Sequence, residues 1–97
     1  MNPAAPSPVL GSDEVRLLTE IGFVAIGRSD PDRARQLFAA LCELRPDSAF
    51  AYLGLAMALM SGGRALEAVR LLLQVISRFP KDAQAQTQLG MALRLCN

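Results

Sequence analysis

Histidine is absent from the 97-residue chain. Its absence removes many zinc sites and the usual Ser-His and Cys-His nucleophilic pairs. Cysteine is scarce: Cys42 and Cys96 do not make a disulfide scaffold. Two reduced thiols are expected, Cys42 packed within a helix and Cys96 near a frayed end, because free cysteine behaves as a small hydrophobe. An excess of one charge is also missing. The formal net charge is +1 and no run of like charges stands out, so nothing electrostatic points to nucleic acid or an anionic membrane as partner. The longest apolar stretch, 49–60, would span about 18 Å as a helix, against roughly 30 Å for a bilayer core. Residues 1–9 hold no basic side chain and no long apolar run, which excludes a secretory signal and makes the cytoplasm the expected location. Glu14, Glu20, Glu43 and Glu67 read as solvating charges on helix surfaces. With no paired-carboxylate site, phosphate-cradling glycine loop or metal cluster in the pattern, no enzymatic activity, metal or cofactor is expected.

The chain is rich instead in apolar residues at helical spacing. Hydrophobic residues make up 52% and charged residues 20%, a composition that folds rather than stays disordered. Residues 1–11 carry Pro3, Pro6 and Pro8 among small residues and read as a flexible tail. Ser12 or Asp13 can cap a first helix through a side-chain oxygen, with Val15, Leu17, Leu18, Ile21, Val24 and Ala25 following at helical periodicity and Gly27 ending it. Asp30 and Pro31 start a second helix, which Arg45–Pro46 stops because a residue before proline leaves the helical region. Asp47 or Ser48 caps a third, 49–60, broken by Ser61, Gly62 and Gly63. A fourth, 64–79, stops at Pro80, and Asp82 caps a fifth, 83–95. No segment alternates with period two between hairpin turns. The fold class is therefore all-α, with five antiparallel helices in a domain over 12–97.

Pro46 and Pro80 lie 34 residues apart. Laying 15–48 over 49–82 superposes Ala34 on Ala68, Phe38 on Leu72, Leu41 on Val75 and Leu18 on Tyr52. Ile21–Gly22 falls on Leu55–Ala56, and a third copy gives Leu89–Gly90 with Leu93. These residues resemble the tetratricopeptide repeat (TPR), a 34-residue helix–turn–helix unit. Small Gly22, Ala56, Gly90, Ala34 and Ala68 let paired helices approach, and Leu59, Leu72 and Val75 fill the space between pairs. The resemblance implies two full repeats, about 15–48 and 49–82, and a capping helix over 83–96. Gln86 stands in the aromatic place of the third copy. With Gln84, Gln88 and Arg94 it supplies the polar outer face that a terminal repeat needs.

The resemblance also implies where a partner sits. Stacked repeats form a curved array whose inner face comes from the first helix of each pair. Here that face is expected to carry Arg16, Thr19, Phe23 and Ile26, then Phe50, Leu53, Met57 and Met60, then Thr87 and Met91, with Gln84, Arg94 and Leu95 beside them. The third helix is apolar almost all round, so it must be buried on every side or await a partner. Methionines adapt to varied apolar ligands, and a groove of this kind suits an amphipathic helix. The same residues could pack in the domain's own core or in a homo-oligomer seam. A TPR class that grips a C-terminal carboxylate uses lysine, asparagine and arginine; Arg16 and Arg94 alone do not match it. Segments 23–59 and 63–93 are also similar to the small TPR chaperones of bacterial type III secretion, which implies a cytoplasmic chaperone holding an apolar helix of an export subunit. The alternatives are a self-associating helical scaffold and a generic TPR adaptor in a cytoplasmic complex.

Overall fold

The computed structural model describes residues 11–97; residues 1–10, nearly all of the expected tail, lie outside the described residues. Five helices follow in order: α1 Ser12–Gly27, α2 Pro31–Leu44, α3 Ala49–Ser61, α4 Ala65–Arg78 and α5 Ala83–Leu95. No strand occurs among the described residues, as the all-α expectation requires.

Three helix starts are fixed by the side chains that the sequence puts there. Asp30 accepts from the Arg33 N–H at 3.3 Å, Ser48 from the Ala51 N–H at 3.4 Å, and Asp82 from the Ala85 N–H at 3.0 Å. Each satisfies an N–H that the first helical turn leaves without a partner. The first helix departs from expectation. It begins at Ser12 with Gly11 in the N-cap position, one residue ahead of the expected caps. Gly27 ends the helix as expected, but not through a positive φ of its own; the chain reverses at Ser29, whose φ is +59°. The repeat register explains the turn: Gly63, 34 residues on, has φ +77°. Both turns close on the same backbone bond, from Asp30 N–H to Ala25 O and from Arg64 N–H to Leu59 O, each 2.8 Å. Glycine takes this conformation freely; Ser29 bears the Cβ penalty at the equivalent point.

Each helix packs on the next, and α3 also touches α1 and α5. It therefore meets all four other helices, which is why it has no polar face. Ala51, Leu53, Gly54, Ala56, Ala58 and Leu59 are buried along it. The core has two centres. In one, Ala68, Leu72 and Val75 of α4 pack with Leu53, Ala56 and Leu59 of α3 and with Ala85 and Ala92 of α5. In the other, Phe38 of α2 is wholly enclosed. A Cβ placed on Gly22 would lie 2.6 Å from its ring, and one placed on Gly54 would overlap the ring's other edge. Phe23 meets the same ring edge-on, with centroids 5.4 Å apart. The expected close approach at Gly22 is thus present. Gly90 differs: nothing lies within 4 Å of a Cβ placed there.

The aromatic position of the repeat has a polar duty as well. The Tyr52 hydroxyl donates to the Pro46 carbonyl at 3.0 Å, and Arg78 of α4 donates to the same oxygen at 2.8 Å. One repeat later, the Gln86 amide donates to the Pro80 carbonyl at 3.2 Å. Gln86 therefore keeps the hydrogen bond of Tyr52 while dropping its ring.

The glycines give an opposed pair of predictions. Gly54→Ala should destabilise the chain by about 1–3 kcal/mol, because the enclosed Phe38 ring cannot yield. That loss outweighs the helix-propensity gain of roughly 1 kcal/mol. Gly90→Ala, with open space around it, should stabilise by about 0.5–1 kcal/mol. Urea denaturation of the three proteins measures both signs.

Candidate protein-binding face

Positions 16, 50 and 84 are equivalent in the repeat register, as are 19, 53 and 87, and 23, 57 and 91. They place α1, α3 and α5 side by side with these residues on one face. Two hollows open on it. The first, about 380 Å³, lies between α1 and α3 and is lined by Val15, Arg16, Thr19, Glu20, Phe23, Arg45 and Phe50. The second, about 310 Å³, lies between α3 and α5 and is lined by Met57, Ala83, Gln84, Thr87, Gln88 and Met91.

The floor of the first hollow is aromatic. Phe23 and Phe50 stand with ring centroids 6.3 Å apart, and Phe50 keeps 47% of its surface exposed. Its rim is charged: Arg16 faces Glu20 at 3.8 Å on one exposed helical turn, and Arg45 comes from the end of α2. The second hollow has a methionine floor and an amide rim. Gln88, which lines this hollow, has its Oε1 buried with no hydrogen-bond partner among the described residues.

Most of the residues expected on the inner face reach these hollows: Arg16, Thr19, Phe23 and Phe50 in one, Met57, Thr87 and Met91 in the other. Three do not. Leu53 is only 3% exposed and belongs to the core centred on Leu72. It sits at the middle of the central helix, where α4 and α5 close over it. Met60 and Ile26 are half-buried and pack against the two core centres rather than lining either hollow. The single groove expected around Phe50, Leu53, Met57 and Met60 is therefore two hollows separated by α3. Val15, Glu20, Arg45 and Ala83 were not anticipated, and Gln88, expected on a polar outer face, lines the second hollow instead. The repeat register could have flagged Glu20 and Gln88, which are equivalent to each other and to Gly54. Arg45 carried no periodic signal, because it belongs to the turn after α2.

A family model described as tetratricopeptide repeat matches residues 25–91. The chain belongs to the tetratricopeptide repeat family. No curated protein and no solved structure matches it. TPR domains are protein-interaction modules and typically non-catalytic. Among the described residues, no group of histidine, cysteine, aspartate and glutamate could hold a metal ion, and no helix is long and apolar enough to cross a membrane.

The buried thiol of this TPR chain is chemically quiet. Cys42 is buried in α2, and burial, with a smaller contribution from the neighbouring Glu43 charge, pushes its thiol up to about 11. The thiolate is the reactive form, so Cys42 is inert at neutral pH, whereas Cys96 stands exposed to a reagent. A thiol reagent at pH 7.5 should titrate one cysteine quickly and the second only on unfolding. Because the folded thiol ionises later than the unfolded one, its contribution to stability is intact below about pH 9 and is lost as pH rises towards 11.

Proposed function

We propose that this TPR domain binds an apolar or amphipathic helix of another protein across its inner face and has no catalytic role. The observation that carries this reading is the pair of apolar hollows on either side of α3. Phe50 and Met57 stand seven residues apart on that helix, two turns or about 10 Å along its axis. A partner helix with apolar side chains at i and i+7 matches that spacing. The charged rim of Arg16, Glu20 and Arg45 supplies orientation, since peripheral polar contacts set register more than affinity.

The finer reading is a cytoplasmic chaperone that holds such a helix of a type III secretion subunit until export. Its support is the similarity of segments 23–59 and 63–93 to chaperones of that kind, together with the apolar residues of the inner face. Its physical logic is mass action: covering the apolar helix of a subunit that would polymerise keeps it unassembled. A generic TPR adaptor would use the same two hollows. A self-associating scaffold would bury Phe50, Met57 and Met60 in a seam between copies; sedimentation equilibrium of the purified chain separates that arrangement from a monomer.

Phe50→Glu and Met57→Glu should each abolish co-purification of the partner from the native host while the far-UV CD spectrum stays helical. Partner retention by both variants would refute the inner-face reading. Leu53→Ala should behave differently, costing about 2–5 kcal/mol of stability as a core truncation without a selective effect on binding.

A further inference from the structure

The outer side of α1 carries an apolar stripe with a charge at each end. Leu17, Ile21 and Val24 are 57%, 46% and 54% exposed. Exposed Glu14 precedes them and exposed Arg28 follows. Positions 14, 17, 21, 24 and 28 are alternately three and four apart, so they lie along one line of the helix. Glu14 and Arg28 make no ion pair among the described residues, whereas Arg16 and Glu20 of the same helix pair with each other. Beside the stripe lies a hollow of about 280 Å³, lined by Ile21, Val24, Ala25, Arg28, Asp30 and Arg33. The residue types differ from those of the repeat junctions. At the positions equivalent to 17 and 24, α3 has Ala51 and Ala58 and α5 has Ala85 and Ala92, all buried against the preceding pair of helices. Alanine lets the backbones approach there; leucine and valine at 17 and 24 would hold a helix stacked in that manner away. Residues 1–10 carry no charged side chain, so they hold nothing to meet Glu14 and Arg28.

We propose that this stripe binds the same stripe of a second copy of the chain, antiparallel, about a two-fold axis at Ile21. Charge selects the occupant. Glu14 and Arg28 stand seven residues to either side of Ile21, about 10 Å along the helix in each direction. A two-fold axis there sets Glu14 of each copy against Arg28 of the other. It also sets Leu17 of each copy beside Val24 and Ala25 of the other, where the 280 Å³ hollow receives it. The stripe is thus its own complement, as an isologous contact requires. Parallel pairing would instead set Glu14 on Glu14 and Arg28 on Arg28. Association removes three large exposed apolar side chains per copy from water. One helix pair is small beside a standard interface of roughly 1,600 Å², so the dimer is reversible and depends on concentration. It leaves the inner face open, because none of the five stripe residues lines either hollow there.

Sedimentation equilibrium of the full chain over a concentration series tests this. A reversible monomer–dimer equilibrium is expected. Ile21→Glu should raise the dimer Kd at least about tenfold with an unchanged helical CD spectrum, since the position is exposed. Phe50→Glu should leave the Kd unchanged, which separates this seam from one across the inner face. Glu14→Arg and Arg28→Glu should each weaken the dimer about fivefold, because both facing charge pairs become repulsive. Mixing those two variants should give a heterodimer at least as tight as the wild-type dimer. The double variant Glu14→Arg/Arg28→Glu should recover wild-type association. A chain that stays monomeric up to about 1 mM, the weak end of specific association, overturns the proposal. So does a dimer that Phe50→Glu dissociates, one that Ile21→Glu leaves intact, or one whose Kd neither single charge reversal moves. If Ile21→Glu loses its helical spectrum, the charge reversals and their recovery in the double variant decide the matter alone.

Discussion

One aromatic ring holds the first half of this molecule together. Phe38 sits between Gly22 and Gly54, with Phe23 edge-on to it. Three helices meet at that ring, and both glycines are needed to admit it. A side chain at either position would force the helices apart or drive the ring from its site, and close-packed interiors leave no slack for either. Because α3 is pinned there on one side and by Leu72 and its neighbours on the other, its position relative to α1 and α5 is set. That position creates the two hollows of the inner face.

The second half solves the same problem with aliphatic residues. Leu72 takes the place of Phe38, and Ala56 takes the place of Gly22. A smaller knob needs a shallower notch. The polar links follow the repeat as well: Tyr52 and Gln86, one repeat apart, donate to the carbonyls of Pro46 and Pro80. Arg78 reinforces the first of these, reaching the Pro46 oxygen and lying over the Tyr52 ring. These bonds tie the start of each new repeat to the turn that ends the last one, where a proline has stopped the helix and left carbonyls in need of donors.

Binding follows from how the repeat places its first helices. They lie side by side, so every residue facing away from the second helices shares one surface. Burial in the interior selects among them. Leu53 and Phe50 are both apolar residues of α3, yet one is enclosed and the other half-exposed, because α3 is covered at its middle and open at its start. At α5 the geometry changes sign. The position that is a buried notch in two repeats is exposed among the described residues of the third, with the small residue type kept.

The sequence by itself determined the helices, three of their N-caps and their repeat. Asp30–Pro31, Ser48, Asp82, Pro46 and Pro80 act through backbone chemistry within a few residues, and such local rules need no tertiary partner. The 34-residue period was equally legible, since superposed apolar positions report a packing problem solved twice in the same way. Tertiary structure alone decided the rest. Gly54 has no small counterpart in the register, where Glu20 and Gln88 stand, so its contact with Phe38 was invisible until α3 met α2. Ser29 hid a left-handed turn that only its alignment with Gly63 explains. The all-round apolar α3 could have been core or groove. Contact with four helices made its middle core and left its flanks as two hollows, because burial depends on what lies across from a residue and not on the residue itself.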